Sequence, residues 1–237
     1  MKLVILTTET LHHVFFVQEI TKYYTVDAVI CENNTYSPTF PTHHSFEDKR
    51  DAYESQLFFA NKKTTLDDIS NTFHVDSINS EESIKLIKSM PSDIFLVVGT
   101  GKIYENVIQA KKDAIINLHG GDPEEYRGLD SHLWAIYHND FNNFIITSHI
   151  LNNELDDGDI ILQKRISIVK NMKLHELRSK NIQAAVDITL STLDMYQRHN
   201  QFIYRPQKRK GRYYSFMPTP LKEICLKKFE RFTKELA

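Results

Sequence analysis

Apolar runs of strand length alternate with segments of helical periodicity through the first half of this chain. The strand-length runs are residues 3–6, 26–31, 94–98 and 114–118. The run at 94–98 is continuously apolar and lies between Asp93 and Gly99, which is typical of a central parallel strand buried on both faces. Between the runs, apolar residues recur at helical spacing, as in residues 11–20. This order predicts an α/β fold with a doubly wound, mostly parallel sheet and helices on both faces.

The pattern changes after residue 129. A short helix around Trp134 is expected to place the indole in the core, and two strands are expected at 144–151 and 160–168. The longest helical stretch, residues 173–199, has one apolar face. The tail predicts a hairpin around Gly211 and then a mixed-charge helix. We therefore divide the chain into a Rossmann-like domain, 1–170, and a C-terminal appendage of helix and hairpin, 171–237.

Charge and cysteine content limit the possible partners. Lys and Arg total 29, Asp and Glu total 31, and the net charge of −2 supplies no overall field that attracts nucleic acid. Cys31 and Cys225 stand far apart, which fits a reducing compartment and argues against a zinc site built on cysteines. No apolar stretch approaches the roughly 18 residues that a membrane span needs. We expect a cytoplasmic protein without nucleic-acid or membrane partners.

The sequence contains neither a dinucleotide-binding loop nor a triphosphate-binding loop, and its histidine pairs are poor candidates for a metal site. Residues 7–10, after the first strand, contain no glycine-rich loop that could hold a dinucleotide or a triphosphate. The adjacent histidines at 12–13 and 43–44 are expected to point apart, so that neither pair chelates a metal. We expect no metal site.

Two candidate catalytic residues lie at the end of the strand predicted at 114–118. Asn117 and His119 are two residues apart, so their side chains project to the same side of the sheet. Ligands of such sheets bind at the carboxyl ends of the strands. An amide and an imidazole that converge there can donate hydrogen bonds to an oxyanion forming on a carbonyl. A carboxylate near His119 would favour the imidazolium and orient the ring, and Asp156 lies in a loop that could supply it.

These residues belong to an ordered set of motifs. In chain order the set is Asn117-x-His119, Tyr126-Arg127-Gly128, Trp134-Ala135-Ile136, Thr147-x-His149, Asp156-x-Gly158-x-Ile160 and Gln163. It resembles the folate-dependent formyltransferase family most strongly over residues 93–168. The resemblance implies that residues 1–170 are a formyltransferase catalytic domain. It also implies 10-formyltetrahydrofolate as the formyl donor.

The resemblance also implies roles for individual residues. Asn117 and His119 would stabilise the tetrahedral intermediate that forms when an amine attacks the formyl carbon, and Asp156 would hold His119 charged. The folate cleft would lie between the loop after residue 98 and the loop before Asp156. Its expected cofactor-binding residues are Gly101, Lys102, Ile103, Asn153, Leu155 and Asp157.

One departure from the family pattern concerns the acceptor. Many members follow the histidine with Pro-Ser-Leu-Leu-Pro, whereas this chain has Gly-Gly-Asp-Pro-Glu-Glu at 120–125. This form looks like the branch that formylates nucleotide-linked amino sugars. The expected acceptor is dTDP-4-amino-4,6-dideoxyglucose, with a 3-amino isomer left open, for surface polysaccharide (lipopolysaccharide O-antigen) synthesis. The expected substrate-binding residues are Gly120, Gly121, Asp122, Tyr126 and Arg127.

Other readings stay open. The same chemistry could act on glycinamide ribonucleotide or methionyl-tRNA, and a non-catalytic folate or nucleotide binding module is a reading from another class. Residues 205–212 contain five basic residues in eight. This basic run could be a solvated face, a diphosphate contact or a nucleic-acid patch. A homodimer that pairs through the C-terminal segment is also an expectation.

Overall fold

A seven-stranded sheet forms the centre of the molecule. The computed structural model describes residues 1–33, 37–111 and 114–236. The strands of this sheet are β1 (Lys2–Thr7), β2 (Thr25–Glu32), β3 (Thr72–Val75), β4 (Ile94–Val98), β5 (Ile115–His119), β7 (Ile145–Ile150) and β8 (Ile160–Arg165). Their order is β3-β2-β1-β4-β5-β7-β8. The first five in this order run parallel, and β7 and β8 are antiparallel to their neighbours. The predicted α/β fold is confirmed.

Helices cover both faces of this sheet. They are α1 (Leu11–Thr21), α2 (Ser45–Phe59), α3 (Glu81–Ser89), α4 (Glu105–Ala110), α5 (Ser131–Tyr137), α6 (Leu177–His199) and α7 (Thr219–Glu235). In β1, Leu3 and Ile5 enter one apolar core while Val4 and Leu6 enter the other, because side chains alternate along a strand. A strand buried on both faces therefore reads as a continuous apolar run in the sequence.

Local signals in the sequence set the ends of several helices. The Ser80 hydroxyl accepts a hydrogen bond from the Ser83 backbone N–H over 3.1 Å and caps α3, as expected. Helix α6 is preceded by a 3₁₀ turn, Leu174–Glu176, which together with it accounts for the long helix expected at 173–199. No helix in the described ranges is long and apolar enough to span a membrane.

The C-terminal segment is joined closely to the rest of the molecule. Helix α6 packs against α1, β7 and β8, and α7 packs against α5. Buried residues Leu193 and Phe229 belong to the same apolar core as Leu3 and Ile5. The division of the chain at residue 170 stays a prediction.

The expected hairpin around Gly211 was wrong. Strand β9 (Arg212–Tyr214) pairs in parallel with β6 (Tyr126–Gly128), which follows β5 in the chain. Gly211 allows this pairing, because its N–H donates to the Pro123 carbonyl and a Cβ there would stand 2.7 Å from the Glu125 nitrogen. From the sequence alone, a glycine that allows two backbones to approach closely cannot be distinguished from a glycine in a turn.

Trp134 also differs from its expected position. The indole packs against the core but is only half-buried. Its ring centroid lies 4.8 Å from that of Tyr214, and its N–H donates to the Ser215 carbonyl over 2.9 Å. Trp134 therefore joins α5 to the segment around β9, since an indole with a polar N–H is stable at a half-buried site with a partner.

Candidate active site

The structure brings Asn117, His119 and Asp156 together at the carboxyl end of β5. Asp156 lies in the loop between β7 and β8. Its Oδ1 stands 3.5 Å from His119 Nδ1 and 3.4 Å from Asn117 Nδ2. The side chains of His119 and Asp156 are each 6% exposed, so their interaction is poorly screened by water.

Asp156 is held as an ionised carboxylate. Burial by itself raises the pKa of this carboxyl, but the His119 and His149 rings and the Gly128 backbone N–H outweigh it and hold the pKa well below its usual range. The Gly128 N–H donates to Asp156 Oδ2 over 2.8 Å. Asp156 itself has a φ of 50°, a left-handed conformation that aspartate adopts more readily than most residues.

The His119 ring is fixed through both nitrogens. Its Nε2 lies 2.7 Å from the Tyr126 carbonyl oxygen, which can only accept, so Nε2 carries a proton. Its Nδ1 faces the Asp156 carboxylate. The ring plane is therefore set by one backbone acceptor and one carboxylate acceptor.

His149 is a fourth member of this group that the sequence did not single out as a site residue. It lies on β7 opposite Asn117 in the antiparallel register and is 1% exposed. Its Nε2 is 3.0 Å from Asn117 Nδ2 and 3.8 Å from Asp156 Oδ1, and its Nδ1 is 2.9 Å from the Ile150 carbonyl. The motif Thr147-x-His149 was the available signal, but the register that sets His149 beside Asn117 is not readable from one sequence.

The residues expected to bind the cofactor lie on two loops at this edge. In the loop after β4, the Gly101 N–H donates to Glu32 Oε2 over 2.9 Å, Ile103 is buried, and the Lys102 side chain is exposed. In the loop before β8, Asn153 is exposed and Leu155 is half-buried. The pKa of Glu154, in that second loop, is lowered first by Lys210 and more weakly by Lys102. The two loops are therefore within electrostatic reach of each other.

The residues expected to bind the acceptor are mostly engaged inside the protein. Asp122 Oδ1 accepts from Gln163 Nε2 over 3.0 Å, and the Tyr126 hydroxyl donates to Asp140 Oδ2 over 3.0 Å. The Gly121 carbonyl accepts from the Thr147 hydroxyl over 2.7 Å. Of the five, only Gly120 is among the residues that line the adjoining cavity.

Arg127 contacts the loop that carries Asp156. It is 6% exposed, and its guanidinium donates to the Leu155 carbonyl through Nε, over 2.8 Å, and through a terminal nitrogen. The side chain therefore braces the loop that carries Asp156. The acceptor-binding roles of Gly121, Asp122, Tyr126 and Arg127 stay predictions, and these contacts do not place their side chains at an acceptor.

A cavity of about 350 Å³ opens beside His119. It lies between the ends of the central strands and helices α1, α2, α5 and α6, and most of its wall is apolar. Its other polar side chains are His12, His13, Arg50, Asp130, Ser131, His132, Arg178 and Asn181. The sequence did not predict this group, because it is assembled from four helices that meet only in the folded chain.

The two arginines of this cavity are already paired. Arg178 Nε lies 2.8 Å from Oε1 of Glu54, a side chain with no exposure, and Arg50 lies 3.0 Å from Glu47. Their charges are therefore largely compensated before any ligand arrives.

The expectation that His12 and His13 point apart was wrong. Their ring centroids are 4.0 Å apart, and both rings line the cavity from the first turn of α1. Burial lowers the pKa of His13 to about 4. Among the described residues, no group of three or more His, Cys, Asp or Glu side chains is arranged to hold a metal ion.

The hydrogen bonds of His13 determine which of its nitrogens is free. The Thr8 hydroxyl is 3.4 Å from the Gly99 carbonyl, to which it can donate, while His13 Nδ1 is 2.9 Å from that hydroxyl and 3.2 Å from the Thr8 carbonyl. Nδ1 therefore carries the proton, and Nε2 is an acceptor with no partner in the described part of the chain. Gly99 has a φ of +74°, and a Cβ there would collide with the His13 ring.

Comparisons with known proteins identify the family of this chain. A family model described as formyl transferase matches residues 2–193. The chain belongs to the formyl transferase family. A methionyl-tRNA formyltransferase of Clostridium acetobutylicum is 30% identical over 132 residues, which are 55% of this chain and 41% of that protein. The chain spans less than half the length of the curated formyl transferases that it matches first.

Solved structures share the fold of this chain at low sequence identity. The formyltransferase PseJ from Anoxybacillus kamchatkensis, in complex with UDP-4,6-dideoxy-4-formamido-L-AltNAc and tetrahydrofolate, has a TM-score of 0.54 and 16% identity, covering 91% of this chain and 86% of that one. An N-formyltransferase from Helicobacter canadensis, in complex with folinic acid and dTDP-3-aminofucose, has a TM-score of 0.58 and 16% identity, covering 91% and 71%.

Proposed function

We propose that this protein transfers a formyl group from 10-formyltetrahydrofolate to the amine of a nucleotide-linked amino sugar. The observation that carries the proposal is the convergence of Asn117, His119 and Asp156 at the carboxyl end of β5, in a chain of the formyl transferase family. Two structures with the same fold were solved with a folate and a nucleotide amino sugar or its formamido form.

Each member of the trio has a distinct role in this proposal. The folate supplies an activated formyl carbon, and the protein supplies position and electrostatics. Asn117 and His119 donate hydrogen bonds to the formyl oxygen as negative charge develops on it during attack by the amine. For this, the Nε2–H of His119 exchanges the Tyr126 carbonyl for the formyl oxygen, and an N–H of Asn117 leaves His149. Asp156 stabilises positive charge on the His119 ring. The amine nitrogen gains the bond to carbon and loses a proton, and the folate nitrogen takes up a proton as its own bond to carbon breaks.

The two loops at this edge fit a folate by their chemistry. The loop after β4 is pinned through Gly101 to the buried Glu32 carboxylate, which also accepts from the Ile78 N–H over 3.0 Å. The loop before β8 is pinned by Arg127. Rigid backbone on two sides suits a flat heteroaromatic ring that forms hydrogen bonds with backbone N–H and C=O groups. Gly101, Lys102, Ile103, Asn153, Leu155 and Asp157 are the residues we propose for this cleft.

The cavity beside His119 favours a sugar as the reacting part of the acceptor. Its volume is near the lower end of the range for ligand sites, so a sugar ring fits and an attached nucleotide would extend beyond it. Arg50 and Arg178 are compensated by carboxylates, which argues against a phosphate at the inner wall. The best candidate is dTDP-4-amino-4,6-dideoxyglucose. The two solved neighbours carry a UDP-linked 4-formamido sugar and dTDP-3-aminofucose, so base and amine position need direct measurement.

Methionyl-tRNA is a second candidate, because the curated relatives are methionyl-tRNA formyltransferases. A tRNA acceptor needs exposed cations for its phosphates. Three cations of the basic run at 205–212 are instead paired with carboxylates of the same chain. This pairing favours the sugar nucleotide. Glycinamide ribonucleotide stays an alternative acceptor, and a non-catalytic binding module stays the alternative of another class.

The test is an assay with 10-formyltetrahydrofolate and a panel of acceptors. The panel contains dTDP- and UDP-linked 3-amino and 4-amino sugars, glycinamide ribonucleotide and methionyl-tRNA, with mass spectrometry to detect the gain of one CO. We expect formylation of a nucleotide amino sugar. Formylation of methionyl-tRNA alone would replace the proposed acceptor, and folate binding without any product would support the binding module. A cytoplasmic location, a homodimer and a role in O-antigen synthesis stay predictions.

A further inference from the structure

The basic run at residues 205–212 lies beyond the part of the chain that matches the family model, which ends at residue 193. It crosses the surface between two loops of the candidate active site. One loop, residues 120–125, follows His119, and the other, residues 151–159, carries Asp156. We call the segment 205–212 the strap.

The charges of the strap are directed at these two loops. Arg205 lies 2.8 Å from Glu124, and Arg209 is paired with Glu125. The Lys210 ammonium is 3.2 Å from Glu154 in the other loop. The strap thus contacts one loop at Glu124 and Glu125 and the other at Glu154. These three cations therefore act within the molecule.

Gln207 makes the most specific contact of the strap. Its Nε2 donates to the Asp156 carbonyl over 3.0 Å and to the Gly158 carbonyl over 2.9 Å. Its Oε1 is buried and, among the described residues, has no hydrogen-bond partner. A buried amide oxygen without a hydrogen-bond partner is energetically unfavourable. The side chain is nevertheless oriented so that its amide nitrogen donates twice to the loop that carries Asp156.

We propose that Gln207 is a positioning residue that fixes the Asp156 backbone and, through it, the carboxylate that faces His119 and Asn117. This inference rests on the proposed function. The Asp156 carboxylate is one carbon away from its backbone, so a rotation of the peptide groups that Gln207 holds displaces both oxygens. Oδ1 would then leave His119 and Asn117, and Oδ2 would leave the Gly128 N–H.

Replacing Gln207 by Met tests this role, because Met keeps the length of the side chain and removes both donors. We expect kcat to fall by about 10-fold, because a small displacement of a catalytic group lowers the rate of the chemical step. The folate Kd and the acceptor KM should change by less than about 2-fold. Lys208→Ala is the matched control. The Lys208 side chain is exposed, and its backbone N–H, which donates to Glu124, is kept in the alanine variant, so the kcat of this variant should equal that of the wild type.

A second readout does not depend on activity. The Gly128 N–H donates to Asp156 Oδ2, so its hydrogen exchange reports the position of the carboxylate. We expect this amide to exchange about 10-fold faster in Gln207→Met than in the wild type or Lys208→Ala, with unchanged exchange in the central strands. Unchanged Gly128 exchange in a folded Gln207→Met protein would overturn the proposal.

The variant Gln207→Glu keeps the proposal testable if the Met variant does not fold. A glutamate donates a hydrogen bond only when it is protonated. The ratio of its kcat to that of the wild type should therefore rise as the pH falls, and a flat ratio contradicts a positioning role. A wild type that is inactive on every acceptor refutes the proposed function, whereas an active wild type with equal kcat in Gln207→Met refutes the role of Gln207.

Discussion

The trio at the end of β5 and the cavity beside it differ in how completely their polar atoms are paired. Both oxygens of Asp156 and both nitrogens of His119 face partners within the protein. In the cavity, His13 Nε2 has no partner among the described residues, and Asp130 uses only Oδ2, which accepts from the Met217 N–H. The trio is organised before any ligand binds, whereas the cavity keeps polar atoms available. Changes in the trio should therefore reduce turnover, and changes in the cavity should weaken acceptor binding.

Replacing Asp156 by Asn is the most severe test of this difference. Asn tolerates the left-handed backbone at this position but removes the negative charge beside His119. We expect kcat to fall by on the order of 100-fold with little change in folate affinity. The control is Asp159→Asn, which changes a carboxylate in the same loop outside the trio. Equal kcat in the two variants would remove Asp156 from the mechanism.

The stability of the protein in acid should depend on the buried histidines of the cavity. Burial lowers the pKa of His13 and of His132 to about 4, below the unfolded value of about 6.5. The unfolded chain therefore binds more protons, and stability is lost as the pH falls from about 6.5 to 4. We expect His13→Phe to reduce this loss by on the order of 2 kcal/mol. Urea unfolding at pH 7.5 and 4.5 measures it, and identical losses in both proteins would contradict the pKa shift.

The same His13→Phe variant tests whether the free Nε2 binds the acceptor. Phenylalanine keeps an aromatic ring beside Gly99 and removes the acceptor nitrogen. A hydrogen bond is worth about 1 kcal/mol, so the acceptor KM should rise about 5- to 10-fold with kcat nearly unchanged. His43→Phe, at an exposed histidine, is the control. A loss of kcat without any change in KM would place His13 with the trio.

A coupling between Gly99 and His13 should be the smallest effect. Gly99→Ala is unfavourable both because of its φ of +74° and because the new methyl group meets the His13 ring. Removing the ring with His13→Ala relieves only the second cost. A double-mutant cycle of unfolding free energies should give a coupling of about 1 kcal/mol between the two positions. Additive effects would show that the backbone alone accounts for the requirement for glycine.

The sequence predicted the parts of the molecule that local patterns encode. Continuous apolar runs identified β4 and β5, and Ser80 identified the start of α3. The side-chain alternation of a strand gave the shared direction of Asn117 and His119. The contact of Asp156 with His119 was expected from the resemblance to a family. The spacing alone did not predict it, because the sequence of a loop does not encode its distance to another strand.

Contacts between distant segments account for what the sequence missed. The place of His149 beside Asn117 depends on strand register. The cavity depends on the packing of helices α1, α2, α5 and α6, and Gln207 reaches Asp156 from 51 residues away along the chain. Arg127 illustrates the same limit, since it donates to the carbonyl of Leu155, which lies 28 residues away along the chain.

The most direct test of the account follows the formyl carbon itself. Isotope-labelled 10-formyltetrahydrofolate is incubated with the nucleotide amino sugar and with wild type or His119→Ala, and the labelled product is counted over one turnover. We expect the label to appear on the sugar amine with the wild type. With His119→Ala, transfer should be slower by about 100-fold while folate still binds. Transfer at the wild-type rate by His119→Ala would contradict the proposed role of His119 in formyl transfer.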